Sequence, residues 1–293
     1  MTRNIVNLLF IFALLFAATA CFWSSERSAR QDGDPATSSN NNSSDISEKP
    51  RTSVTPKPDK GDFVVENQTA SVTRFRAIDD RVRANRLLEA AAETLNRKLI
   101  LPQDILLRLR SCDEANAIYE AKSRSITVCY ELMEHFLAVF KKAGENEDKA
   151  YDKMFDAVRF VFLHEVAHAL IDIYDLPITG SEEDAADRLS TFINLTELGD
   201  EGVRSVMAAS EAFAIESKRR TPAKRQLADE HLLQEQRAYN SICLLYGSAP
   251  DKYAYVVSNG MLPSDRAAGC KKDYQKTIQS WTNLLATWRK TAG

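Results

Sequence analysis

Residues 160–187 read FVFLHEVAHALIDIYDLPITGSEEDAAD. They set His164, Glu165 and His168 in the H-E-x-x-H spacing, with Glu183 and Asp187 a short way behind. On a helix, residues four apart lie on one face, so the two imidazoles can converge on a single ion. Glu165, beside the first histidine, can reach water at that ion without ligating it. The flanking residues Met154, Phe155, Val158, Val161, Phe162, Leu163, Val166, Leu170 and Ile171 are apolar almost all round. A helix with that pattern is buried rather than amphipathic. An isolated histidine is usually a hydrogen-bonded core residue. Two histidines and a glutamate in one buried helix need partners together, because unpaired buried polar groups cost several kcal/mol. A Zn2+ ion with its water meets all three needs, so zinc is the expected cofactor.

Catalytic zinc needs a third protein ligand and one open position. A metzincin would carry Gly at 171 and His at 174, and the chain has Ile171 and Tyr174, which excludes that class. The segment Pro177-Ile178-Thr179-Gly180 ends the first helix, and Ser181 is a good N-cap for a second. On the second helix Glu183 and Asp187 fall one turn apart on one face. Glu183 is the expected third ligand. Asp187 is expected to accept the outward N–H of a ligand histidine, with His164 as its partner. Glu182 and Asp184 remain alternatives as ligand, and acids at this position also complement a helix N-terminus.

With these residues in place, the chain resembles the DUF4344 group of bacterial metallopeptidases, within the zincin clan that also holds thermolysin-like gluzincins. The resemblance rests on HEVAHALIDIYDLPITGSEEDAAD (164–187), CDEANAIYEAKSRSITVCYEL (112–132), EHLLQEQRAYNSICLLYG (230–247) and LPSDRAAGCKKDY (262–274). It covers roughly residues 80–280. It implies an α+β, mainly helical, zincin-like metallopeptidase fold, with a small antiparallel sheet packed on the active-site helix. It also implies peptide-bond hydrolysis, with a peptide or protein as substrate. From the resemblance, too, comes the expectation that an extended substrate adds alongside strand 125–129.

The N-terminus has Arg3, an apolar run from Ile5 to Ala17, and Ala18-Thr19-Ala20-Cys21. That reads as a signal peptide over 1–20. Ala18-x-Ala20 suits an ordinary signal peptidase, whereas Cys21 after a small residue suits a lipoprotein site. Residues 24–60 are rich in Ser, Asn, Asp, Lys and Pro with almost no aliphatics, the composition of a tether. The preferred reading is a lipidated Cys21 on a tether over 21–61, followed by one folded domain over 62–293. The expected location is the bacterial cell envelope, in the periplasm or at the surface, with a membrane as partner through the lipid anchor. Plain secretion with an unpaired Cys21 is the alternative. Of the five cysteines, setting Cys21 aside leaves two disulfides. Cys112–Cys129 and Cys243–Cys270 each close a local loop, though three connectivities are formally possible. A net charge of −3 supports no polyanion surface, so nucleic acid is not an expected partner. The basic run KRRTPAKR (218–225) reads as a solvated loop or helix end.

Periodicity predicts an amphipathic helix over Val82–Lys98, a strand over Ile105–Ser111, and a hairpin of Asn116–Tyr119 with Ser125–Tyr130. Helix follows at Glu131–Lys142, then a polar turn at Glu145–Asp148. The expected chemistry is hydrolysis by zinc-activated water, with Glu165 moving the proton to the leaving amine. Candidates for a second donor to the oxyanion are His231 and Tyr239, with Arg237 between them, on the predicted helix HLLQEQRAYN. His135 reads as a packing or surface residue. The rival reading is a non-catalytic zinc-binding envelope lipoprotein serving as an interaction or structural module. Glu165 argues against it, since a structural site needs no acid there and closes with four ligands.

Overall fold

Alternating apolar positions in 105–110 and 125–129 and long apolar-faced helices elsewhere produce a small sheet against a helical body. The computed structural model describes residues 57–66, 73–218 and 230–290. The signal segment, Cys21, most of the tether and most of the basic run lie outside the described residues. Those described belong to one unit, Thr52–Gly293. Its contacts begin ahead of the expected start at 62: Leu101 N–H donates to Asp59 Oδ1 at 3.1 Å.

The strands are β1 (Phe63–Val65), β2 (Ile105–Arg110), β3 (Ala117–Glu120) and β4 (Ser125–Cys129). They lie in the order β1-β2-β4-β3. The expected small antiparallel sheet is instead mixed. Among the described strands only the β3–β4 hairpin is antiparallel, while β1–β2 and β2–β4 are parallel. The physical reason is that helical connections lie between β1 and β2 and a reversing segment follows β2, so chain direction is restored before each pairing. β4 is therefore central and fully buried, which removes it as the strand along which substrate could add. The sheet edges are β1 and β3. At the β1 edge the outward backbone of Phe63 is taken by the Asn96 side chain, through Phe63 N–H to Asn96 Oδ1 (2.8 Å) and Asn96 Nδ2 to Phe63 O (3.1 Å).

The helices are α1 (Arg76–Asn85), α2 (Leu87–Lys98), α3 (Tyr130–Lys142), α4 (Glu147–Tyr174), α5 (Glu182–Glu197), α6 (Gly199–Ser217), α7 (Gln234–Ser248), a single turn α8 (Tyr255–Ser258) and α9 (Ser264–Leu284). The helix expected over Val82–Lys98 is two helices, broken where Arg86 takes a left-handed conformation at φ 49°. α4 is buried along most of its length, as its apolar composition requires. It packs on α3, α5, α6 and β3. Asn146 caps its N-terminus by accepting from Lys149 N–H at 3.0 Å. Its C-terminus closes through Leu176 N–H to Ile171 O (3.0 Å), with Asp175 left-handed at φ 49° and Pro177 soon after. Ser181 then caps α5, its Oγ accepting from Asp184 N–H at 3.4 Å. This tight turn folds α5 back onto α4.

Both expected disulfides are present. Cys112–Cys129 ties the segment after β2 to the end of β4. Cys243–Cys270 ties α7 to α9, where Gly247 packs directly on the Cys270 carbonyl.

Candidate metal centre

Helical spacing on α4 brings His164 and His168 to one side, and the fold-back of α5 brings Glu183 against them. One ligand atom from each of the three lies within 4.8 Å of the others. The two Nε2 atoms face each other at 3.1 Å. Glu183 Oε2 is 3.0 Å from His164 Nε2, and Glu183 Oε1 is 3.4 Å from His168 Nε2. The ring centroids of the two histidines are 4.8 Å apart, edge to face.

Each imidazole is backed at Nδ1 by a carboxylate. Asp187 Oδ1 is 2.8 Å from His164 Nδ1, the pairing expected from sequence. Glu182 Oε1 is 2.7 Å from His168 Nδ1. Sequence reasoning places Glu182 only as an alternative ligand and misses its role against the second histidine. The signal is nonetheless there: consecutive acids on the first turn of α5 point about 100° apart, so Glu182 and Glu183 reach different atoms of one site. Asp184 turns away to Arg188, at 2.7 Å from Nε.

Asp187 is itself held by Arg237. Nε donates to Oδ2 and Nη2 to Oδ1, both at 2.8 Å, and the guanidinium lies 4.4 Å over the Phe213 ring. Both partners are buried. Arg237, a candidate oxyanion donor by sequence, is thus committed to Asp187 and through it to the orientation of His164.

His231 and Tyr239 separate. α7 begins at Gln234, so His231 precedes the helix expected to carry it. It still reaches the site: its Nε2 is 3.0 Å from Glu183 Oε2, and its ring lies 6.1 Å from that of His164, nearly parallel. Tyr239 lies two residues, about 200°, round α7 from Arg237. It lines a different groove with Asp184, Arg188 and Asn240. Tyr239 is thus absent from the lining of the metal cleft. His135 pairs with Glu216 at the rim.

Glu165 is buried and points to the sheet edge, where its Oε2 accepts from Tyr119 N–H at 2.7 Å. Since Cys129 N–H bonds Asn116 O, Ala117 and Tyr119 present their backbone away from β4 and toward the site. A cleft of about 1300 Å³ runs along this edge and is lined by His164, Glu165, His168, Glu183, His231 and β3.

The electrostatics follow from burial and pairing. Burial raises the Glu165 carboxyl, against the attraction of His164 and His168. Burial would lower His168, but hydrogen bonds to Glu183 and Glu182 outweigh it and push it up to about 9. Burial also opposes the charge on Glu183, yet its bonds to His164, His168 and His231 hold it far below the usual carboxylate range. Asp187 is likewise held low, Arg237 overcoming its burial.

The model of the DUF4344 family, described as "Putative metallopeptidase", matches residues 68–285. The chain belongs to the DUF4344 family. The match spans every element from α1 to α9 and includes the whole of the histidine–carboxylate cluster, while β1 precedes it. No curated protein and no solved structure matches the chain. A DUF4344 protein is expected to hold a metal, and the cluster supplies a ligand group for one.

Proposed function

We propose that this DUF4344 chain is a zinc-dependent peptidase of the bacterial cell envelope, in which His164, His168 and Glu183 hold the metal and a lipidated Cys21 holds the chain at the membrane. The observation that carries the reading is the convergence of those three ligand atoms within 4.8 Å, with Glu165 beside them under a sheet edge. The donors fit zinc. Two imidazole nitrogens facing at 3.1 Å require a proton or a cation between them, and the Glu183 carboxylate supplies the compensating charge. Two nitrogens and one carboxylate are a catalytic zinc set with a fourth position open. Zinc bound there would acidify water and polarise a substrate carbonyl.

The remaining work falls to side chains and backbone. An extended peptide adds alongside β3, the edge at which Ala117 and the Tyr119 carbonyl offer backbone groups while Tyr119 N–H is held by Glu165. Glu165, raised by burial, takes a proton from the attacking water and returns it to the leaving amine. Asp187 and Glu182 hold the imidazoles with Nε2 inward. His231, at the cleft mouth, donates to the oxygen that gains charge in the transition state. Two disulfides accord with an oxidising, exported setting.

The test is zinc content per chain, followed by hydrolysis of an unfolded protein by wild type and Glu165→Gln. Both should carry one zinc, and the variant should lose about 10²–10⁴-fold in kcat. Equal activity in the two overturns the mechanism.

A further inference from the structure

The cleft continues from the metal centre toward α3 and α6. Its wall there is apolar, formed by Leu132 and Phe136 of α3, Val161 of α4 and Phe213 of α6. Val161 lies one turn before Glu165, and Phe213 one turn before Glu216. The same lining also carries polar acceptors. Glu216 is one of these; its side chain is 19% exposed and is held by His135 alone among the described residues. Gln234, at the start of α7, is another cleft residue. Its Oε1 is buried and accepts no hydrogen bond among the described residues. That oxygen has no surface of its own, so Glu216 is the acceptor the cleft offers to a ligand. Among the described residues the one arginine of the lining, Arg237, is already committed to Asp187.

An apolar wall beside a carboxylate matches one kind of side chain. Lysine and arginine carry an aliphatic stem that packs on apolar walls and a cationic, donor-rich head. We propose that this part of the cleft receives a lysine or arginine side chain of the substrate next to the scissile bond, with Glu216 accepting from its head. The inference rests on the peptidase reading and names the substrate class of that same site: peptides with a basic residue at one position. An acidic side chain there would lie against the Glu216 carboxylate, so the selection works by exclusion as well as by attraction.

The experiment is a set of peptides identical except at one position, scanned along the sequence and filled with Lys, Arg, norleucine or Glu. Norleucine keeps the stem of lysine without its charge. At one position the wild type should prefer Lys and Arg to norleucine by about tenfold in kcat/KM, and should reject Glu. Glu216→Gln should bring the Lys-to-norleucine ratio close to one, Glu216→Asp should restore part of it, and Glu216→Lys should turn the preference toward Glu. Because the readout is a ratio, partial loss of folded protein does not alter it. An unchanged ratio in Glu216→Gln, or equal wild-type cleavage of Lys and norleucine peptides, overturns this inference and leaves the peptidase reading standing. If the zinc-loaded wild type cleaves no peptide in the set, the peptidase reading falls and this inference falls with it.

Discussion

Replacing Arg237 with methionine separates its two candidate roles. In the structure both carboxylate oxygens of Asp187 are bonded to this guanidinium, and the residues are 8% and 6% exposed. Arg237→Met keeps an apolar stem over Phe213 but leaves the Asp187 charge buried, with His164 as its remaining partner. Removing one member of a buried pair costs about 3–5 kcal/mol, because the survivor is an uncompensated charge. Removing both is far cheaper, so Arg237→Met with Asp187→Asn should recover most of that loss. The amide oxygen that Asp187→Asn leaves in place of the carboxylate still accepts the His164 Nδ1 proton. The assay is urea unfolding with both disulfides intact and a chelator present, which keeps metal binding out of the measured stability. At an m-value of about 2 kcal/mol/M, the single variant should unfold about 1.5–2.5 M earlier than wild type. A loss below about 1 kcal/mol, or a double variant no more stable than the single, would refute the reasoning. Arg237 would then be free for a role toward substrate.

The ligand assignment has its own signature: Glu183→Ala should abolish tight zinc binding, while Asp187→Ala should weaken it about 10–100-fold by equilibrium competition with a chelator. The opposite order would exchange their roles. His168, pushed up to about 9, must lose its proton to bind metal. Apparent zinc affinity should therefore strengthen as pH rises toward 9 and flatten above it, and a pH-independent affinity between 6 and 8 would contradict the site. Away from the metal, burial would raise the Glu131 carboxyl, but bonds from the Ser111 hydroxyl and the Cys112 and Asp113 amides hold it below its ordinary value. The stability this gives is complete above the unfolded pKa of about 4.3 and is lost as pH falls through the lower folded value. Glu131→Gln should flatten the acid limb of stability between pH 5 and 3, measured by urea midpoints, and an unaltered slope would show that these bonds contribute nothing.

Much of the centre was legible because its parts are local. His164 and His168 share a helix face by period alone, and the all-round apolar residues beside them already say that the helix is buried. The Pro177–Ser181 break makes a second helix with Glu183 and Asp187 on one face, and the two cysteine pairs close short loops. The misreadings are of another kind. Arg86 adopts a left-handed conformation with no glycine or asparagine to announce it, so α1 and α2 read as one helix. Tyr239 and Arg237 share a helix two residues apart, and a two-residue rotation sends one into the cleft and the other to a separate groove.

The sequence by itself determined which residues could converge on a metal, since i,i+4 spacing and a capped helix break are properties of a few consecutive residues. Tertiary structure decided what surrounds them. The parallel pairing of β2 with β4 buries the strand expected to take substrate and leaves β3 as the edge over Glu165. The approach of α7 commits Arg237 to Asp187, and the approach of α6 to α3 brings Glu216 to His135. Those contacts join residues 50 and 81 positions apart. They depend on how whole elements pack, which no local pattern encodes.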